Sequence, residues 1–175
     1  MKIELKLMTR ERMHEFYRGF AMDPDLFADM ELYEKVRDFR YDPGKVDARF
    51  DRRMGEADSV SFAVTLGGRV IGEVVLKHVD ADKKECELSI HLQNDSVKNR
   101  GFGTEAERLA VRYAFEALDL ESVYADTILK NTRSQRALEK AGFIRQYEKD
   151  GFRIYRLERK DWKERTGQPA EEEES

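Results

Sequence analysis

The sequence predicts an α/β domain of the α+β kind, with antiparallel strands making up most of its sheet. Three observations predict it. The chain has 175 residues, about one domain's worth and enough to bury one sizeable core. Between Val60 and Leu92, apolar residues alternate with polar ones in three successive runs separated by turn signals, as consecutive antiparallel strands require. From Ala106 the period changes to 3.6, with Leu109, Ala110, Tyr113, Ala114, Ala117 and Leu118 on one helical stripe.

Taken in order, Ile3, Leu5 and Leu7 alternate with Lys2, Glu4 and Lys6 as a half-buried strand does. Thr9 then caps a helix whose apolar side carries Met13, Phe16, Tyr17 and Phe20. Residues 21 to 43 are broken by Pro24 and Pro43 and hold a short amphipathic piece, and from about Lys45 the spacing of Val46, Phe50 and Met54 predicts another helix. The strand Val60 to Leu66 ends at Gly67-Gly68, a hairpin signal leading into Val70 to Leu76. A polar turn at Asp80 to Lys84 precedes the third run, Cys86 to Leu92. A helix from about 103 to 118, a strand from Ser122 to Leu129 and a helix from Thr132 to Ala141 stopped by Gly142 follow. Phe143 to Tyr147 and Phe152 to Leu157 form a last hairpin, turning at Lys149-Asp150-Gly151. With no internal repeat and no low-complexity linker, residues 1 to 165 read as one domain, and 166 to 175, ending in GQPAEEEES, as an acidic disordered tail.

Composition removes several functions. Four of the 36 acids are Glu171 to Glu174, and without them acids and bases balance, so the body offers no electrostatic footprint for a nucleic acid. The single cysteine, Cys86, makes no intramolecular disulfide, and His14, His78 and His91 lack the spacing of a zinc site, so no metal is expected. There is no signal-peptide pattern and no run approaching the ~20 apolar residues of a membrane span, which predicts a cytoplasmic chain without membrane contact.

Lys98-Asn99-Arg100-Gly101-Phe102-Gly103-Thr104 lies between a strand end and a helix start. Such a turn presents unpaired N–H groups at the positive end of a helix dipole, a natural seat for a phosphate. Gly101 and Gly103 withhold the Cβ atoms that would keep ligand oxygens away, and Lys98 and Arg100 add cationic donors. A glycine-bearing start to a helix with no ligand fits the same residues. The loop matches neither a P-loop nor the dinucleotide fingerprint, because Ala106 stands where that fingerprint needs glycine and antiparallel strands precede it.

The segment Lys98 to Gly103 is similar to the acetyl-CoA signature Gln/Arg-x-x-Gly-x-Gly/Ala of the GNAT superfamily of N-acetyltransferases. Its continuation, Thr104-Glu105-Ala106-Glu107-Arg108-Leu109, resembles the branch holding ribosomal-protein N-terminal and spermidine acetyltransferases. A second block, Asn131 to Phe143, looks like that family's helix N-x-x-S-x-x-x-x-E-K-x-G-F. The resemblance covers roughly residues 1 to 160 and implies a mixed sheet with helices on both faces, whose fourth and fifth strands splay around acetyl-CoA. It implies that the pantetheine arm adds to the backbone edge of Ile90, His91 and Leu92, and that the pyrophosphate sits on Lys98, Asn99, Arg100, Gly101, Phe102, Gly103 and Thr104. Lys98 replaces the family's Gln or Arg, keeping a donor but losing planar two-point geometry.

The implied reaction is direct transfer of acetyl to a primary amine. An alkylammonium has a pKa of about 10.4, so freeing its lone pair near pH 7 costs roughly 4 to 5 kcal/mol and favours a positioned base. Glu87, on the strand face of Ser89 and His91, is the expected base; it equally suits an ion pair with a Lys or Arg of the next strand. His91 suits a proton relay or simple packing. Many relatives place a tyrosine in the second block, where this chain has Leu138, so Ser134 is the expected partner of the leaving sulfur, with Asn131 on the pantetheine arm. Both also suit helix capping. Cys86, on the apolar strand face, is expected in the core.

Residues 18 to 43 hold seven acids against four bases, interleaved with Phe20, Phe27, Tyr33, Phe39 and Tyr41. They suit either a lid for a cationic amine, small or a protein N-terminus, or an ordinary helix pair with buried rings. Two further readings stand beside the enzyme: a non-catalytic acyl-CoA-binding regulatory module, suggested by Leu138, and an interaction protein whose glycine turn is structural. The resemblance also implies that two chains can pair as a homodimer.

Overall fold

The structure is a computed structural model that describes residues 2–167. Seven strands form one sheet in the order β1-β2-β3-β4-β5-β7-β6: β1 (Ile3–Leu7), β2 (Val60–Leu66), β3 (Arg69–Asp80), β4 (Glu85–Leu92), β5 (Ser122–Ile128), β6 (Ile144–Lys149) and β7 (Phe152–Glu158). Neighbours are antiparallel except β4 and β5, which run parallel. The expected mixed, mostly antiparallel sheet is therefore the observed one.

The parallel pair is short. Glu85, Cys86 and Glu87 face Ser122, Val123 and Tyr124, and beyond Glu87 the strands part, leaving the β4 edge from Leu88 to Leu92 without a neighbouring strand. This is the expected splay. It begins at the residue expected to act as base.

Helices cover both faces. Under α4 (Phe102–Glu116) lies the main core, in which Ala106, Ala110, Val111, Ala114 and Phe115 meet Val74, Leu76, Cys86, Leu88 and Val123. Burying each large apolar side chain contributes roughly 1.5 to 3 kcal/mol. Across the sheet, α1 (Arg10–Arg18) and α3 (Pro43–Met54) close a second cluster of Met8, Met13, Phe16, Tyr17, Val46, Ala63 and Val70. Phe20, Phe39 and Tyr41 pack against it, so these three rings of the 18 to 43 segment belong to the fold.

The segment between α1 and α3 holds a short 3-10 turn at Pro24–Leu26 and α2 (Met30–Val36). Three of its acids are local caps, with Asp23, Asp29 and Asp42 accepting from first-turn amides. Pro43, read as a breaker, sits in the first turn of α3, where its missing N–H costs nothing. After β5 comes α5 (Thr132–Ala141), closed by Gly142 as expected. A further helix, α6 (Arg159–Thr166), ends the described chain and buries Trp162 against Phe115, centroids 5.3 Å apart. Thr166 thus lies in a helix, and the greater part of the expected tail, 168–175, lies outside the described residues.

Candidate active site

Where β4 and β5 part, a cleft of about 720 Å³ runs through the sheet between the start of α4, the start of α5 and the segment after α1. Glu87, Ile90, His91, Leu92, Lys98, Asn99, Gly101, Gly103, Thr104, Asn131 and Ser134 line it. Eleven of the thirteen residues expected from sequence are thus brought together. Arg100 and Phe102 are outside the lining; the Arg100 guanidinium lies 4.9 Å from the centroid of the Phe102 ring.

One end of the cleft is formed by the start of α4, a cradle of backbone N–H groups. Gly101 caps α4 without a side-chain bond, and the first intrahelical bond is Glu105 N to Gly101 O, at 3.1 Å. The N–H groups of Phe102, Gly103 and Thr104 therefore have no acceptor among the described residues, and the helix dipole adds partial positive charge there. Gly101 has φ +81°, which a side chain would strain, and a Cβ placed on it meets nothing within 4 Å. At Gly103 a Cβ would touch only Leu92 Cδ1, at an ordinary 3.8 Å. Packing therefore does not require glycine at 103. Gly103→Ala is expected to stabilise the fold by about 0.5 kcal/mol through helix propensity while weakening binding of a phosphorylated ligand about tenfold. Thermal unfolding and calorimetric titration of the one variant check both signs.

Lys98 is placed differently from its expected role. Its ammonium is buried, donating to Asp23 Oδ2 at 2.6 Å and to Asp95 Oδ1 at 3.0 Å. Arg133 of α5 also reaches Asp23 Oδ2, at 2.9 Å, and Asp25 Oδ2, at 3.2 Å. Burial acts to raise the Asp23 pKa, but the bonds from Lys98 and the Asp25 amide, with Arg133 nearby, hold it below the usual carboxylate range. The segment following α1 is thus strapped over the cleft. Gln93 and Asn94 fasten its root: Gln93 Nε2 donates to the carbonyls of Glu15 and Phe16, and Asn94 Nδ2 to that of Gly19. Asp23→Asn is expected to cost about 2 kcal/mol of stability, since Lys98 and Arg133 each keep a second carboxylate. Because the native pKa is depressed, the lost contribution is one present near neutral pH that disappears on acidification; equal urea midpoints for the two proteins at pH 7 would contradict it. The cations of α5 that line the cleft without an ion pair among the described residues are Arg136 and Lys140, which sequence reading missed.

At the other end stand two carboxylates. Glu87 faces Lys77 in register, with Nζ to Oε1 at 3.0 Å, and His78 Nε2 lies 3.7 Å from Oε2. The ion pair anticipated as an alternative is thus present. A β3 irregularity after Lys77, with His78 at φ 53°, turns these side chains about Glu87. Across the gap is Asp126 of β5, which the sequence reading did not single out. Burial raises its pKa above the usual value, Glu87 raises it further and Lys77 opposes.

His91 lies opposite Glu73 in register, Nδ1 to Oε1 at 3.8 Å, and burial lowers its pKa against the pull of Glu73. Glu73 is itself buried and bonded to Arg53 at 2.7 Å. Asn131 caps α5, its Oδ1 accepting from Ser134 N at 3.1 Å, which leaves its Nδ2 to donate. Leu138 is buried in the cleft wall, and no tyrosine lines the cleft among the described residues. Cys86 is fully buried, its thiol pushed up to about 12, and is a core residue as expected. No cluster of three or more His, Cys, Asp or Glu placed to hold a metal occurs among the described residues, and no described helix is long and apolar enough to cross a membrane.

A sheet parted over a helix N-terminus, with a bare strand edge leading from one to the other, is the framework of an acetyltransferase fold. The chain belongs to the GNAT acetyltransferases: the family described as "Acetyltransferase (GNAT) domain" matches residues 2–144. It is 35% identical over 96 residues to the probable N-acetyltransferase YjcK of Bacillus subtilis (strain 168), an alignment covering 54% of this chain and 53% of that protein. The chain thus matches about half the length of that curated relative. Among solved structures it is similar to an aminoglycoside acetyltransferase, AAC(6')-Ib, in complex with coenzyme A, with TM-score 0.73, 21% identity, and 95% of this chain and 99% of that one covered. It is also similar to the spermidine N-acetyltransferase from Vibrio cholerae in complex with CoA and spermine, with TM-score 0.68, 14% identity, and 91% and 97% covered. At these identities the likeness to solved structures is one of fold.

Proposed function

We propose that the chain is an N-acetyltransferase that moves the acetyl group of acetyl-CoA directly to a primary amine, with residues 1 to 165 as one catalytic unit. The parting of β4 and β5, with an anion cradle at one end and Glu87 and Asp126 at the other, carries this reading. The residues fit the cosubstrate: three amides without acceptors, two glycines with open space above them and an unpaired strand edge suit a pyrophosphate and an amide-bearing arm. When bound, acetyl-CoA supplies an activated thioester.

In this reading Gly101, Phe102, Gly103 and Thr104 hold the pyrophosphate through backbone N–H groups. Asn99 and Arg100 flank it, and Lys98 holds the strap in place. Ile90, His91 and Leu92 pair with the arm through their backbone, and Asn131 donates to it from Nδ2. Glu87 accepts the proton of the incoming ammonium, and the pair Glu87 and Asp126 favours a cation at the mouth. Ser134 offers its hydroxyl to the leaving sulfur. The acceptor is the amine of a small molecule or of a protein N-terminus. Neighbours named for spermidine and aminoglycosides support the first, and the resemblance of the 98 to 109 segment to ribosomal-protein acetyltransferases supports the second.

Acetyl-CoA at 100 times its Kd is expected to stabilise the protein by about 2.7 kcal/mol, a rise of a few degrees in Tm. Adenosine, lacking pyrophosphate and arm, is expected to leave the midpoint unchanged. No shift at saturation would end the reading; a shift justifies screening amines and peptides by thiol release. The absence of a tyrosine from the cleft lining favours one second reading, a non-catalytic acyl-CoA-binding module, which predicts the same shift with no transfer to any amine.

A further inference from the structure

We infer that Glu107 is a binding residue for the cosubstrate, its carboxyl donating a hydrogen bond to an oxygen of the pantetheine arm. The inference rests on the acetyl-CoA reading above. Glu107 lies one turn beyond Gly103, about 6 Å deeper along α4, and both line the cleft. It is 1% exposed, and Oε2 has no hydrogen-bond partner. No hydrogen bond or ion pair to it is present among the described residues. Its buried neighbours on α4 are Ala106, Ala110 and Val111, which offer no side-chain donor or acceptor.

A carboxyl in such a wall keeps its proton: burial pushes Glu107 up to about 8, with Arg108 opposing. At pH 7 it therefore holds an O–H that lacks an acceptor among the described residues. An unmade bond of a buried group costs stability, whereas a leucine there would cost none. The depth selects the ligand group. Phosphate oxygens belong at the first-turn amides, and one turn further along the β4 edge come the hydroxyl and amide carbonyls of the arm. The titratable and charged groups facing the same cleft from other elements are Lys77 of β3, Glu87 and His91 of β4, Asp126 of β5, Asp23 and Asp25 of the strap, Lys98 of the cradle loop, and Arg133, Arg136 and Lys140 of α5.

The test is calorimetric titration of wild type, Glu107→Gln and Glu107→Leu between pH 7 and 9, with acetyl-CoA and with adenosine 3′,5′-bisphosphate, which lacks the arm. For wild type, acetyl-CoA affinity is expected to fall about tenfold from pH 7 to 9 as the carboxyl ionises. The bisphosphate, and Glu107→Gln with either ligand, are expected to lack this fall; both retain the surrounding charges and so subtract their contribution. Glu107→Leu is expected to bind acetyl-CoA several-fold more weakly at pH 7 while melting at a higher temperature. An equal pH slope in Glu107→Gln, or wild-type affinity in Glu107→Leu at pH 7, would overturn the assignment and leave the cosubstrate reading standing. Failure of wild type to bind acetyl-CoA at any pH would overturn both.

Discussion

Glu87→Gln is expected to lower kcat for acetyl transfer by about 10² to 10⁴ while changing acetyl-CoA affinity by less than about twofold. The split follows from position. Glu87 is the last β4 residue in register with β5, so its side chain stands at the point where the strands part, remote from the cradle at residues 101 to 104. It is 14% exposed, with one carboxylate oxygen held by the Lys77 ammonium at 3.0 Å and the other 3.7 Å from His78 Nε2. Glutamine keeps the shape and a hydrogen bond but accepts no proton, so the loss falls on the step in which the ammonium is deprotonated. Because that loss removes a base, it is expected to shrink as pH rises and free amine becomes abundant. Full turnover by Glu87→Gln across pH 6 to 9 would move the role elsewhere, and Asp126 is the group to test next.

The second large effect is on stability. Unfolded, Glu107 gives up its proton near pH 4.3; folded, it holds it to about pH 8. Between these values the native state binds more protons than the unfolded one, so the free energy of unfolding falls as pH rises through the window and levels off above it. This single group accounts for up to about 5 kcal/mol over the whole range. Glu107→Gln removes the titration, so the difference in unfolding free energy between variant and wild type is expected to grow from pH 5 to pH 9 in the variant's favour. Urea denaturation at pH 5, 7 and 9 measures it. A difference that stays constant with pH would show that Glu107 ionises near its ordinary value in the folded protein.

The antiparallel run β2-β3-β4 was legible because three consecutive alternating runs allow few arrangements, and the glycine turn because two glycines bracket the start of a helical stripe; the parting of the fourth and fifth strands came from the family resemblance alone. What escaped the sequence has identifiable causes. The helix α6 carries one large apolar residue, Trp162, and a single buried side chain makes no period. The start of α3 was misplaced because Pro43 punctuates loops and opens helices equally well; Asp42 before it was the available signal. The strap depends on Asp23 meeting Lys98 and Arg133, which are 75 and 110 positions away, a pairing no local pattern announces. Asp126 was not singled out because, although alternation puts it on the same face of β5 as Tyr124, its relation to Glu87 needs the strands to part. Glu107 did leave a trace, a charged residue on the buried side of an apolar stripe.

The brevity of the parallel pairing also bears on how the molecule breathes. With three residue pairs joining β1 to β4 on one side and β5 to β7 on the other, the sheet is two plates meeting along a narrow seam. Backbone amides on the free bank of β4 are expected to exchange with deuterium faster than those facing β3. A ligand that pairs with this bank bridges the plates. Slowing of amide exchange on β4, spreading into β5, is then the expected sign that the two halves have become one body.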